Sequence, residues 1–481
     1  MPSLRTFGFV FGIQLLLLLL IATIGSGEQI AQSCGSDELN HSILVACNAT
    51  HCPSSSSPET LLWPTKSDEI LHVHSSKAGA RLVQAYLANL NYEEDANTKL
   101  LDINTTLTVY STLKKPRQNK ITGFGASVDF SRFSPGGGDF EQTYGLILDD
   151  LFGESAASSR LTLLRLPIRL SDTNLSLADI LLAIDQHVAH SRGYDAQREP
   201  LKILLDFEGA SSSLPLEGSS LMEKIRSCSG VLERLSSIEL WAVSMDYTLI
   251  ESMELTAANL DYYNMIRKSL PLALIIASCP LAEAPKFLDT HAKSSIFHGL
   301  LVRGEKSVPY NVLDYLSSRP NAKLILSLGS KLPKTRHYGD WENAQNQAVE
   351  LIRHLGHGSN GFIEELSVNE LLVPESANQD SSLYSLHRSH QLHFKGPIFY
   401  ATSHFSRFIP GGSQPVEMKL FTQPNMFSAH YAAYKTPKNQ LVVVVLNSNE
   451  HMLPFRIEMD TRIVASAGVE PNSFNTFMIK L

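Results

Sequence analysis

The chain has 481 residues, 43% of them hydrophobic and 18% charged, and its 40 Lys plus Arg against 48 Asp plus Glu leave a net charge of −8. That acidic balance excludes a binder that grips nucleic acid through a basic face, and 28 Gly with 23 Pro exclude collagen-like and low-complexity chains. The length exceeds what one hydrophobic core serves, so one large domain with a smaller companion is expected.

At the N-terminus Arg5 precedes an almost continuous apolar stretch from Phe7 to Ile24, followed by Gly25, Ser26 and Gly27. A basic start, an apolar run and a small-residue exit predict a secretory signal peptide over residues 1–27, with an uncleaved anchor as the alternative. Four N-x-[ST] sequons, at Asn40, Asn48, Asn104 and Asn174, fit a glycoprotein of the secretory route, lysosomal or extracellular. The five cysteines are Cys34, Cys47, Cys52, Cys228 and Cys279. Cys47 and Cys52 bracket a short loop that a disulfide could close in an oxidising compartment, and the odd count leaves at least one thiol unpaired. Cys228 and Cys279 read as buried structural thiols. Neither C-x-x-C nor H-E-x-x-H occurs, so no metal or other cofactor is expected.

Residues 28–114 read as an irregular, β-leaning segment with strand-like pieces such as Thr105–Tyr110. The rhythm then changes. Short apolar runs at Ile121–Val128, Leu161–Ile168, Lys202–Phe207, Ile238–Val243, Leu272–Ser278, Gly299–Val302, Lys323–Leu328 and Gly361–Leu366 alternate with helical stretches such as Glu342–Leu355. Runs of that length between helices read as βα units around a buried parallel sheet. Eight of them predict an α/β fold, a (β/α)8 TIM barrel over 115–390; an open doubly wound sheet lacks its Gly-x-Gly-x-x-Gly. Over 391–481 the closely spaced runs Pro397–Ser403, Phe427–Tyr434, Gln440–Asn447, Pro454–Met459 and Phe474–Lys480 predict an antiparallel β-sandwich, to which both chain ends contribute.

Two segments of this last region carry a resemblance. Phe399-Tyr400 with His404-Phe405-Ser406-Arg407-Phe408-Ile409-Pro410-Gly411-Gly412-Ser413-Gln414, and Val442-Val443-Val444-Val445-Leu446-Asn447, resemble the lysosomal acid glucosylceramidase family of glycoside hydrolases. Cys47-Asn48-Ala49-Thr50-His51-Cys52 is similar to that family's N-terminal disulfide segment, with Val45 where another cysteine would pair with Cys34. Gly123-Phe124-Gly125, Arg165-Leu166-Pro167 and Trp241-Ala242-Val243 resemble its first, second and fourth barrel strands. The resemblance implies retaining hydrolysis of the β-glucosidic bond of glucosylceramide, a step of sphingolipid metabolism. It also implies a glycosphingolipid or glycan ligand, an activator-protein partner and peripheral membrane contact, and no nucleic acid.

Retention needs two carboxyl groups about 5–5.5 Å apart, one nucleophile and one acid/base, at the C-terminal ends of barrel strands. Alignment to the family's motifs puts Thr248 at the acid/base position and Leu328 at the nucleophile position. Neither can do that work: leucine cannot attack an anomeric carbon, and loss of acid–base assistance alone costs about 10²–10⁴ in rate. Arg303, Gly304 and Glu305 stand where the family has His-Trp-Tyr, and the loops at Asp206-Phe207-Glu208-Gly209 and Phe362-Ile363-Glu364-Glu365-Leu366 depart as well. The expected protein is therefore glucosylceramidase-like but catalytically impaired, a pseudoenzyme. The alternatives are an active glycosidase using relocated carboxylates, with Glu208 and Glu365 as candidates, and a non-catalytic interaction protein. Arg165, Asp172 and Trp241 are the substrate-binding candidates, and Arg165 is expected either to bind a ligand or to pair with Asp172. The mouth's other acids, Asp129, Asp206, Asp246 and Glu364, are expected to cap helices or face water. Thr248 and Leu328 are expected to face each other across the mouth.

Overall fold

A computed structural model describes residues 45–47, 69–77, 83–88, 105–109, 120–130, 144–154, 158–169, 176–192, 199–208, 214–248, 250–251, 257–291, 296–304, 308–319, 323–329, 340–365, 368–370, 384–387, 392–422, 429–459 and 462–481. Eight parallel strands close into a barrel: β1 (Gly123–Ser127), β2 (Leu163–Arg169), β3 (Leu201–Glu208), β4 (Ile238–Asp246), β5 (Leu274–Pro280), β6 (Gly299–Arg303), β7 (Ile325–Leu328) and β8 (Gly361–Glu364). Each strand pairs with the next, and β8 returns to β1 through Gly361↔Gly123 and Ile363↔Gly125. A helix follows every strand: α1 (Leu146–Phe152), α2 (Leu177–Arg192), α3 (Leu214–Ser229), α4 (Ala257–Ser269), α5 (Ala284–Thr290), α6 (Asn311–Ser317), α7 (Trp341–Gly356) and, after a small sheet, α8 (Pro397–Ser406). All eight predicted runs are barrel strands.

Strand ends are fixed by particular side chains. Asp185 on α2 accepts the backbone N–H groups of Ser236, Ser237 and Ile238 at 3.0, 2.7 and 3.0 Å, which clamps the entry to β4. Asp340 caps α7 by accepting the N–H of Glu342 at 3.1 Å. Within the barrel, inward residues form their own apolar cluster of Leu163, Leu204, Ala242, Ile276, Leu301, Leu324, Leu326, Leu328 and Ile363. Outward residues of the same strands join the helices in the main core.

The sandwich draws on both chain ends. One sheet runs Gln414–Pro415, Ala429–Lys435, Gln440–Asn447, Ser473–Lys480, Glu69–Ser76, Val83–Ala88; the other runs Met418–Thr422, Thr105–Val109, Leu453–Met459, Arg462–Val469. Gln440–Asn447 is buried along its whole length because both its faces are covered. Leu441, Val443 and Val445 face the second sheet, whereas Val442, Val444 and Leu446 join the core shared with the barrel. That explains an unbroken valine run in an antiparallel sheet, where alternation is the norm.

One expected strand is corrected. Pro397–Ser403 is not β-structure but most of α8, which starts at Pro397 behind Gly396 and has all ten residues buried. A helix buried on every side reads as a strand because its period is hidden. It is wedged between barrel and sandwich: Phe405 lies 6.2 Å from Phe124, and His404 bonds Ser75 at 3.0 Å and Thr476 at 2.8 Å. Trp341 of α7 adds a second anchor on Phe474 at 4.9 Å. Val45–Cys47, Val368–Glu370, Tyr384–His387 and Leu392–Lys395 form a separate four-stranded sheet. Among the described residues no helix is long and apolar enough to cross a membrane. The predicted leader, the four sequons, Cys34 and Cys52 lie outside the described residues, as does the side chain of Cys47.

Candidate functional site

Side-chain alternation along the strands builds the site. On β2 and β3 the inward positions above Leu163 and Leu204 are Arg165, Asp206 and Glu208, so an apolar barrel floor gives way to charge at the C-terminal mouth. Arg165 is 2% exposed, a burial that a guanidinium tolerates only when its donors are satisfied. Here they are: Nε and Nη2 donate to Asp206 Oδ2 at 2.8 and 2.5 Å, Nη2 also to Glu208 Oε1 at 2.5 Å, and Nη1 to Ser127 Oγ at 3.0 Å. Burial alone would lower the Arg165 pKa, but Asp206 and Glu208 outweigh it and hold the group above its ordinary value.

Arg303, the last residue of β6, is the second cation. It is 41% exposed, and its guanidinium lies 3.5 Å from Glu208 Oε1, 3.8 Å from Asp206 Oδ2 and 3.8 Å from Glu365 Oε1. The mouth therefore holds three carboxylates and two guanidiniums in one network spanning β2, β3, β6 and the residue after β8. Arginine suits this place because its planar fork serves several carboxylates at once.

The expected partner of Arg165 changes. Asp172 lies outside the described residues, and the pairing predicted with it is replaced by Asp206 and Glu208. Parallel pairing of β2 with β3 sets Pro167 beside Asp206 and Arg169 beside Glu208, so these carboxylates meet Arg165 across one strand boundary. Asp206, expected to cap a helix or face water, is instead buried in this pair. Glu208 and Glu365, chosen as a relocated pair, both reach Arg303. Glu305 lies outside the described residues. Glu364 points the other way, accepting from Gln347 of α7 behind the barrel. Trp241 is half-buried against the inner apolar cluster.

The two family positions sit in different surroundings. Leu328 ends β7 fully buried in the inner apolar cluster, in register with Arg303 of β6. Thr248 is exposed two residues beyond β4, and Asp246 Oδ1 accepts its N–H at 2.9 Å and its hydroxyl at 2.5 Å. Asp246 thus caps a turn. Among the described residues no group of His, Cys, Asp and Glu is placed to hold a metal ion.

Sequence reasoning missed Ser244. It lies on β4 beside Asp206 of β3 and Ile276 of β5, on the inward face, fully buried, and its hydroxyl has no hydrogen-bond partner among the described residues. The available signal was its place two residues after inward Ala242. Cys228 and Cys279 are buried free thiols, as expected. Burial pushes Cys228 up to about 12 and raises Cys279 further, so neither is a nucleophile at physiological pH.

Three comparisons bear on this geometry. Residues 412–477 match the model of the glycosyl hydrolase family 30 β-sandwich domain. A putative glucosylceramidase 3 of Caenorhabditis elegans is 27% identical over 144 residues, which are 30% of this chain and 27% of that protein. The lysosomal acid glucosylceramidase of Mus musculus is 29% identical over 147 residues, 29% of this chain and 27% of the relative. The matches thus span about a quarter of the length of these relatives. Among solved structures, SrfJ from Salmonella typhimurium superposes with a TM-score of 0.64 at 14% identity, over 86% of this chain and 100% of that one.

Proposed function

We propose that the chain is a divergent member of the glucosylceramidase group of glycosyl hydrolase family 30 that keeps the glycosidase scaffold and has given up the family's hydrolytic step. One observation carries this reading: the aligned nucleophile position is Leu328, buried in the inner apolar cluster, and the aligned acid/base position is Thr248, tied to Asp246. Neither side chain can form a glycosyl-enzyme bond or protonate a leaving oxygen. Arg165, Asp206, Glu208, Arg303 and Glu365 join in one ion-pair network at the mouth, so a sugar ring bound there would meet Arg303. Binding of a glycan or glycosphingolipid, with an activator protein and a membrane surface nearby, is the role that scaffold would retain. The apolar leader and the sequons support a glycosylated protein of the endolysosomal or extracellular space, with Cys47 and Cys52 joined.

A second reading has an observation in its favour. Glu208 and Glu365 converge on one guanidinium at 3.5 and 3.8 Å, which brings two carboxylates to the same side of the mouth. One experiment separates the readings: incubation with a mechanism-based β-glucoside inactivator, then peptide mass spectrometry. The proposal predicts no adduct anywhere on the barrel. A glycosyl adduct on Glu208 or Glu365 would overturn it and establish relocated chemistry.

A further inference from the structure

We propose that the barrel mouth is a cation cage that recognises an amino-bearing sugar, with Arg303 as the internal cation such a ligand displaces. The sugar half of this statement rests on the function proposed above; the cation half rests on the ion pairs alone.

The two guanidiniums of the cage are not equivalent. Arg165 is buried and makes four contacts of 2.5 to 3.0 Å, so it is a fixed part of the floor. Arg303 is 41% exposed and meets its three carboxylates at 3.5, 3.8 and 3.8 Å, at or beyond the outer limit of a hydrogen bond. Charge holds it there, and another cation can take its place. An anionic ligand would be repelled by the carboxylates that hold Arg303, whereas an ammonium group can pair with them in its place.

Two groups supply the receiving atoms. Glu208 spends only Oε1 on both arginines; its Oε2 makes no hydrogen bond among the described residues, and the side chain is 30% exposed. That oxygen is an acceptor within reach of solvent. Below it, the buried Ser244 hydroxyl shares the inward face with Asp206 and has no partner among the described residues. A buried hydroxyl without a partner is costly, and a ligand hydroxyl would satisfy it. An ammonium group at Glu208 with hydroxyls on the same small ring meets both demands, and an amino sugar carries both.

The test is direct titration of the full-length mature protein with glucosamine, N-acetylglucosamine, glucose and glucuronate, at mildly acidic pH where the free amine is protonated. One retained charge contact predicts glucosamine about tenfold tighter than glucose or N-acetylglucosamine, with glucuronate weakest. Glu208→Gln should erase the preference. Arg303→Met, which touches a half-exposed side chain and leaves the buried Arg165 pair intact, should bind glucosamine several-fold tighter because its competitor is gone. Equal affinity for glucosamine and glucose, no binding of any of the four, or an unchanged preference in both variants would overturn the proposal. Glucoside turnover by the native chain would overturn the loss of hydrolysis instead, and leave the amine preference standing.

Discussion

Replacing Arg165 by Met removes the fixed cation of the mouth and strands Asp206, which is 1% exposed. Breaking a buried ion pair from one side costs about 3–5 kcal/mol, because the remaining charge keeps its desolvation penalty and loses its partner. Arg303 already lies 3.8 Å from Asp206 and can close part of that gap, which places the expected loss near the lower end, about 3 kcal/mol. The compensating double variant Arg165→Met/Asp206→Leu leaves Glu208 with Arg303 as its partner and should lie within about 1 kcal/mol of the native protein. The difference between the single and double variants is the informative quantity. Urea unfolding followed by circular dichroism on all three proteins measures it. A single variant as stable as native, or a double variant less stable than the single, would refute the reading of Arg165 as part of the barrel's structure.

Other consequences follow from the same geometry. His404 and His72 are held neutral mainly by burial, with pKa values lowered to about 3 and about 4 from 6.5. Their folded pKa values lie below the unfolded one, so their neutral-state stability is complete above pH 6.5 and is lost as pH falls toward 4, at up to about 1.4 kcal/mol per pH unit for each. Unfolding at pH 7, 6 and 5 should show the native chain losing stability more steeply than His404→Gln; parallel curves would contradict this. At Gly299 a Cβ would sit 2.4 Å from the Leu324 carbonyl oxygen, so Gly299→Ala should cost about 1–3 kcal/mol by forcing β6 from β7, and an unchanged midpoint in urea would contradict that packing. Cys228 and Cys279 should resist a thiol reagent in the folded protein and react on denaturation; fast labelling of either in native buffer would place them wrongly.

The barrel was legible because parallel strands covered on both faces appear as short continuous apolar runs. The sandwich was legible in its central strands and less so at its edges. Met418–Thr422 and Arg462–Val469, the outer strands of the smaller sheet, were not anticipated, because an edge strand carries less of the apolar signal. The helix Pro397–Ser406 was misread for the opposite reason, since burial on every side removes the polar face that reveals helical period. At the mouth the residue types could be read from strand ends, but the pairing could not. Asp172 is the nearest acid to Arg165 in sequence, yet the partners are 41 and 43 residues away on the adjoining strand. Strand register, which the sequence does not spell out, decides which carboxylate meets which guanidinium. Ser244 escaped notice because a lone serine in an apolar strand carries no chemical signature until its neighbours are in place.

The central claim is that hydrolysis has been lost because Thr248 and Leu328 occupy the two catalytic positions. The most direct test is the rate of glucosylceramide and fluorogenic β-glucoside hydrolysis by the purified native chain, beside the Thr248→Glu/Leu328→Glu double variant. The native chain is expected to show no enzyme-dependent turnover. The double variant is expected to recover little, since Arg303 and its carboxylates occupy the mouth and a misplaced substrate loses rate steeply. Turnover by the native chain at an ordinary enzyme rate, about 1–10³ per second, would contradict the account and place the reacting carboxylates elsewhere in the barrel.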